Sequence, residues 1–309
     1  MTKEVSGLEE ILVNEAIADL SSIQDFIRWG YARFNQAELF YGHGTDNPWD
    51  EAVSLVLQTL ELPDDTPDAI LQSRLTTSEK RELANRIAKR INEKKPLAYI
   101  TNKAYFCGNE YYVDERVLVP RSPIAELIER HFTPFVLPEK VQSILDLCTG
   151  SGCIAIACAQ HFPDAIVDGS DISADCLQVA EINRQRFEQD NVAFYQSDLF
   201  ENIPEKKYDI IVSNPPYVDE EDYDEIPEEF IAEPKLGLVS GFDGLDITRN
   251  ILSEAKNYLT DGGILIVEVG NSAAALDAAY PEVPFTWLEF ERGGLGVFLL
   301  TKEQLEEYF

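Results

Sequence analysis

Asn214, Pro215, Pro216 and Tyr217 follow directly on the apolar run Ile210-Ile211-Val212-Ser213, so a buried strand should deliver them to the edge of a sheet. Two consecutive prolines fix φ and remove two N–H donors, leaving a stiff corner that offers carbonyl oxygens. The Asn214 side-chain oxygen and the Pro215 carbonyl can each accept one hydrogen of a planar NH2 group, while Tyr217 stacks on its face. That arrangement suits methyl transfer to an amide or amino nitrogen, whose lone pair must attack in line from about 3 Å. An amide lone pair is delocalised, so fixed acceptors that raise its electron density and hold its direction supply most of the catalysis. No strong base is required, because the methylated and still protonated amide loses its proton to water. The same four residues could also form only a proline turn that closes a strand.

Three other stretches read as a nucleoside pocket. Leu145-Asp146-Leu147 runs into Cys148-Thr149-Gly150-Ser151-Gly152 and then an apolar helix. The two glycines let backbone approach a ligand at the carboxyl end of a strand, where open α/β sheets bind nucleotides. That loop alone fits a dinucleotide, or a tight strand-to-helix turn, equally well. Asp171 ends the next expected strand about 20 residues later, where a carboxylate can take both ribose hydroxyls. Its neighbours Ile172 and Ser173 leave open that it merely caps the following helix. After the third strand, Asp198 can meet an exocyclic amino group and Leu199 can cover a flat base, the alternative being a surface turn. The candidate cofactor set is thus Asp146, Thr149, Gly150, Ser151, Gly152, Asp171, Ile172, Asp198, Leu199 and Asn214, with Asn214, Pro215, Pro216 and Tyr217 doing the chemistry.

The elements that must hold these residues are legible in the hydrophobic pattern. From about Leu8 to Leu60, Ile11, Ile17, Leu20, Ile23, Ile27, Tyr31 and Phe34 recur with helical spacing. Asn47, Pro48, Asp50 and Glu51 read as an N-cap, a first-turn proline and dipole-matched acids. Ser78 and Glu79 should open a further helix that stops before Pro96. Ala104–Phe106 and Glu110–Val113 then read as a β-hairpin turning around Gly108-Asn109. From Val141 onward strands alternate with helices, as in a mostly parallel sheet covered on both faces. The expected strands are Ser143–Leu147, Ala165–Gly169, Val192–Tyr195, Tyr208–Ser213 and Ile264–Val269. A terminal antiparallel hairpin, Phe285–Phe290 with Gly296–Leu300, should follow, turning at Gly293-Gly294.

Composition narrows the function classes. Fifty-six acidic against 25 basic residues leave a formal charge of −31 over 309 residues. Such a surface repels nucleic-acid phosphate and steers a basic protein inward, although it would also serve solubility alone. Direct DNA binding is therefore not expected. Asp219 to Glu233 carries nine acidic residues and no basic ones, a segment suited to attract a positively charged partner. The five cysteines form no CxxC pair and lie far from the three histidines, so no metal site is expected, and Cys153 and Cys158 should pack as small apolar groups. No basic-apolar leader and no membrane-length apolar run is read, so the expectation is a soluble cytoplasmic protein.

At these residues the chain resembles the class I S-adenosylmethionine methyltransferases, and Asn214–Tyr217 narrows the likeness to enzymes that act on amide or exocyclic NH2 groups. Two branches share the tetrapeptide, the adenine-amino methyltransferases of nucleic acid and the HemK-like protein glutamine methyltransferases. Phe106-Cys107-Gly108-Asn109-Glu110, Glu233-Pro234 and Gly241-Phe242-Asp243-Gly244-Leu245 are similar to the second. Tyr41-Gly42-His43-Gly44-Thr45-Asp46-Asn47-Pro48-Trp49-Asp50 and Val119-Pro120-Arg121-Ser122-Pro123 are similar to its ribosomal-protein branch, called PrmB, rather than to the release-factor branch. The resemblance spans almost the whole chain. It implies methylation of a glutamine in the third large-subunit ribosomal protein, free or in an assembling particle, with S-adenosylmethionine as cofactor. It also implies a Rossmann-like fold with a helical N-terminal domain over residues 1–98 for substrate recognition, a hairpin linker over 99–119 and a methyltransferase domain over 120–309. Cys148 departs from the family by standing where most class I enzymes carry the first loop glycine. Rival readings are a release-factor glutamine methyltransferase, a nucleic-acid adenine-amino methyltransferase, which would need a basic groove, a nicotinamide-dependent dehydrogenase, which leaves Asn214–Tyr217 unexplained, and a silent scaffold that binds a partner through its N-terminal helices.

Overall fold

The computed structural model describes residues 2–309, with side chains from residue 10 onward. Leu8, where the expected periodic stretch begins, has its side chain outside the described residues. The chain forms two compact units, one of residues 1–103 with Pro227–Ala232 and one of Ala104–Ile226 with Glu233–Phe309. The segment expected as a separate linker is divided between them, with 99–103 in the first and 104–119 in the second.

The first unit is helical: α1 (Thr2–Asp19), α2 (Ile23–Gln36), α3 (Pro48–Thr59), α4 (Asp68–Leu71), α5 (Thr77–Asn92) and α6 (Leu97–Thr101). Local chemistry sets the starts. Ser22 and Asp25 close a capping box on α2, and the Asn47 side chain accepts from the Trp49 and Asp50 amides, 3.0 and 2.9 Å away, to open α3. Helix α5 starts earlier than Ser78 predicts, because Thr76 caps it and pairs with Glu79 in a second box. Phe26, Ile27, Phe34, Leu55, Leu83 and Ile87 form the core. Ile11 and Tyr31, expected on the apolar stripe, are exposed. A buried cluster lies among these helices: Arg90, 1% exposed, pairs with Glu51 and with Glu229 at 3.2 Å.

The second unit begins with a hairpin, β1 (Ala104–Phe106) and β2 (Asn109–Tyr111). Its two-residue turn is Cys107-Gly108, both at positive φ, one residue earlier than expected. The second strand stops at Tyr111 rather than Val113 because the Tyr112 amide donates instead to the Asn183 side chain, at 2.7 Å. After α7 (Ile124–Glu129) come β3 (Ser143–Leu147), α8 (Cys153–His161), β4 (Ile166–Asp171), α9 (Ala174–Arg186), β5 (Val192–Gln196) and β6 (Tyr208–Ser213). Short helices α10 (Glu220–Glu225) and α11 (Glu228–Ile231), the latter in the first unit, precede α12 (Asp246–Glu254), β7 (Leu259–Glu268), α13 (Ala273–Ala279), β8 (Thr286–Trp287), β9 (Val297–Thr301) and α14 (Lys302–Tyr308).

Strands β3 to β9 form a seven-stranded sheet in the order β5-β4-β3-β6-β7-β9-β8, parallel except for β9 and its pairings. Alternate residues of each strand feed cores on opposite faces, Ile144, Val167, Ile210 and Val212 on one and Leu145, Leu147, Ile211 and Leu265 on the other. Cys153 and Cys158 pack in the first of these cores. The terminal hairpin is present, but β8 is shorter than expected, pairing with β9 only at Thr286 and Trp287, with one further bond from the Leu288 amide to the Val297 carbonyl at 2.9 Å. The sequence reading did not foresee α14, which Thr301 and Gln304 open with a capping box. Among the described residues no helix is long and apolar enough to cross a membrane.

Candidate active site

Strand register brings the expected residues to one edge. Leu147 of β3 lies level with Ser170 of β4 and Ser213 of β6, and Asp171 lies level with Gln196 of β5. The next residues, Cys148, Asp171 and Asn214, therefore leave adjacent strands side by side, strands being about 4.8 Å apart. The chain departs from β3 toward β4 on one side and returns to β6 on the other. This is a topological switch point, which opens a crevice at the carboxyl ends of the strands.

The loop after β3 is strongly bent, with Cys148, Gly150 and Gly152 at φ of 58°, 53° and 79°. A Cβ on Gly150 would meet nothing within 4 Å, so backbone faces open space there. At Gly152 a Cβ would come within 2.9 Å of the Phe194 ring and 3.0 Å of Ala180, so this glycine serves close packing of loop on helix. Asp146 holds the loop from beneath: one oxygen accepts from Thr149 Oγ1 at 2.5 Å and from the Ala155 amide at 3.1 Å, while the other has no partner. Burial pushes its carboxyl up to about 7. The side chain is fully buried. In this structure its bonded oxygen shapes the loop. Thr149 and Ser151 are buried as well, and Asn183 donates to the Ser151 carbonyl at 2.9 Å.

Asp171 accepts from the Gly150 amide with one oxygen and from the Ser173 amide with the other, each at 2.9 Å. The cap of α9 is Ser173, so Asp171 is not the capping residue. Burial raises its pKa despite these two donors. Ile172 is half exposed beside it. Beyond β5, Asp198 is exposed, while Leu199 is buried at a φ of 44°.

The Asn214–Tyr217 corner is built tightly. Ser213 donates to the Leu147 carbonyl at 2.8 Å, tying the end of β6 to β3, and Pro215 is buried. Ser272 donates to the Tyr217 carbonyl at 2.7 Å. A Cβ on Gly270 would lie 2.5 Å from the Tyr217 ring, and one on Gly244 2.2 Å from its carbonyl, so both positions are cleared for this tyrosine. Among the described residues, neither the Asn214 side-chain oxygen nor the Pro215 carbonyl accepts a hydrogen bond.

Sequence reasoning missed Glu268, the last residue of β7. The pairing of Ser213 with Val267 sets it level with Asn214. Its oxygens accept from Tyr217 Oη at 3.2 Å and from Ser122 Oγ at 2.5 Å, and burial raises its pKa. Burial, and then the nearby Glu268 charge, also push the Tyr217 phenol above its ordinary value. The available signal was a lone acid ending the apolar run from Ile264 to Val267. Arg121 forks onto the buried Glu233 at 2.7 and 2.9 Å, and Glu233 also accepts from the Val119 amide at 2.9 Å.

An open, mostly parallel sheet with a glycine loop, a strand-end acid and an acceptor corner at its switch point is the Rossmann-like architecture of the class I methyltransferases. Residues 132–244 match the family model described as the methyltransferase small domain. The ribosomal protein uL3 glutamine methyltransferase of Francisella tularensis subsp. tularensis is 48% identical over 296 residues, covering 95% of this chain and 94% of that protein. The enzyme of the same name from Neisseria meningitidis serogroup A is 48% identical, covering 96% and 98%. The chain belongs to this family of protein glutamine methyltransferases. Among solved structures, the 16S rRNA N2 G1207 methyltransferase of T. thermophilus, in complex with AdoMet and guanosine, aligns at a TM-score of 0.45 and 20% identity, covering 64% of this chain and 49% of that one.

Proposed function

We propose that this protein methylates the side-chain amide nitrogen of a glutamine in ribosomal protein uL3, with S-adenosylmethionine as the donor. The observation that carries the reading is the pair of oxygens at Asn214 and Pro215, which no other group of the described protein engages and which lie beside the glycine loop at the switch point. Bound there, S-adenosylmethionine supplies an activated methyl on a sulfonium. The residues present fit it. The open face at Gly150 admits the ligand against backbone, and Thr149, Ser151 and Gly152 complete that loop. Asp171 still has free lone pairs for ribose hydroxyls after accepting two amides, since each carboxylate oxygen takes more than one bond. Ile172 and Leu199 offer apolar surface to a base, and Asp198 an acceptor for its amino group.

Asn214 and Pro215 bind the two hydrogens of the carboxamide, which raises electron density on the nitrogen and holds its lone pair in one direction. Tyr217 supplies the flat surface that the amide lies against. Once methylated, the amide nitrogen loses one of its protons to water. The N-terminal helical unit serves substrate recognition, and the charge of −31 draws in a basic ribosomal protein in the cytoplasm. Of the acids from Asp219 to Glu233, Glu229 and Glu233 are spent on Arg90 and Arg121, so steering falls to the others.

Incubation with methyl-labelled S-adenosylmethionine and a cell extract, followed by peptide mass spectrometry, tests the reading. Label on one glutamine of uL3 is expected. Label confined to a release factor would reassign the substrate, and label in nucleic acid would overturn the proposal.

A further inference from the structure

Building on the proposed methyl transfer, we infer that Glu268 is a positioning residue for it. By gripping the Tyr217 hydroxyl while gripped by Ser122, Glu268 fixes the far end of the ring on which the substrate carboxamide lies. The bonding scheme has one direction. The Ile124 amide donates to Ser122 Oγ at 3.2 Å, so the Ser122 proton is free to go to Glu268, which it reaches at 2.5 Å. The second Glu268 oxygen takes the Tyr217 hydroxyl. A carboxylate that is 5% exposed and served by two hydroxyls, with no cation among the described residues bonded to it, is an expensive group to keep on stability grounds alone.

What Glu268 adds is a polar anchor on a ring packed closely against the Gly270 backbone. Gly270 removes the side chain that would strike the Tyr217 ring, and Ser272 fixes the backbone carbonyl, but neither holds the far end of the ring. The hydroxyl anchor does. A phenol that donates to a carboxylate also carries more electron density on its face, and the nitrogen becomes positive as it gains a methyl group. An electron-rich face therefore favours the transition state over the neutral ground state. Glu268 exchanges no atom and no proton in this role.

The test is a double-mutant cycle on purified full-length protein with uL3 as substrate. E268Q and Y217F should each lower kcat by about tenfold, with KM for cofactor and for uL3 moving less than about twofold. The double variant should be no slower than either single one, because both sever the same link. Thermal midpoints and cofactor affinity near the wild-type values would separate positioning from damage to the fold. If E268Q does not fold, Y217F alone decides, and an unchanged kcat overturns the inference. An active wild type with an undiminished E268Q, or effects that multiply in the double variant, also overturns it. No transfer to uL3 by the wild type would overturn the functional reading, and this inference with it.

Discussion

At the scale of single residues the proposed chemistry rests on two oxygens that no group among the described residues bonds. Pro215 and Pro216 have no N–H to satisfy, so the corner turns without consuming its own acceptors. Asn214 follows a strand end tied by Ser213 to the neighbouring strand, which stops the amide from drifting. Asn214→Ala should therefore lower turnover by about 100-fold or more, the scale of losing a preorganised acceptor in a dry site. Cofactor affinity should change far less. Single-turnover kinetics with a parallel binding titration would check this, and turnover near the wild-type rate would remove Asn214 from the mechanism. Asp171→Ala should do the reverse, weakening cofactor binding first, because it deletes the carboxylate that also holds the Gly150 amide.

The element that most constrains the site is the loop between β3 and α8. Its shape depends on a buried carboxylate whose second oxygen has no partner. Asp146 carries a pKa pushed up to about 7 from an ordinary 3.8. Its ionisation therefore costs stability: the contribution is best below about pH 4, declines as pH rises toward about 7 and is flat above. Asp146→Asn should remove that dependence, so the wild-type thermal midpoint should fall relative to the variant between pH 5 and pH 8. Parallel midpoint curves across that window would exclude the assignment. In the same loop, Gly152→Ala forces a Cβ into the Phe194 ring and Ala180 at a left-handed φ. A loss of about 1–3 kcal/mol in denaturant unfolding is expected.

Across the whole molecule the dominant quantity is charge. With a formal net of −31, the approach of a basic substrate should be accelerated by the field and slowed as salt screens it. KM for uL3 should rise by about tenfold between low salt and about 0.5 M, while the affinity for cofactor moves little. A salt-independent KM would leave the acidic surface to solubility alone. Inside the first unit the charge balance is local. Arg90 is buried against Glu51 and Glu229, so Arg90→Met leaves two buried acids unpaired and should cost about 3–5 kcal/mol.

Hydrophobic alternation and turn chemistry carry most of the architecture in the sequence. The parallel strands, the Asn47 cap, the loop at Gly150 and Gly152, and the Asn214–Tyr217 corner are local patterns of apolar period, glycine and proline, and so are legible one stretch at a time. Pairing between distant stretches is not. Nothing near Glu268 in the chain points to Ser122 or Tyr217, 146 and 51 residues away. Nor does anything near Asp146 say whether its carboxylate faces a ligand or the loop beneath. The end of β2 was misread for the same reason, because Asn183 takes a backbone donor that a strand would otherwise use. A residue's type and its near neighbours settle which element it joins. Which buried polar groups satisfy one another depends on how the sheet and helices pack, because a hydrogen bond between distant residues exists only once the chain has brought them together.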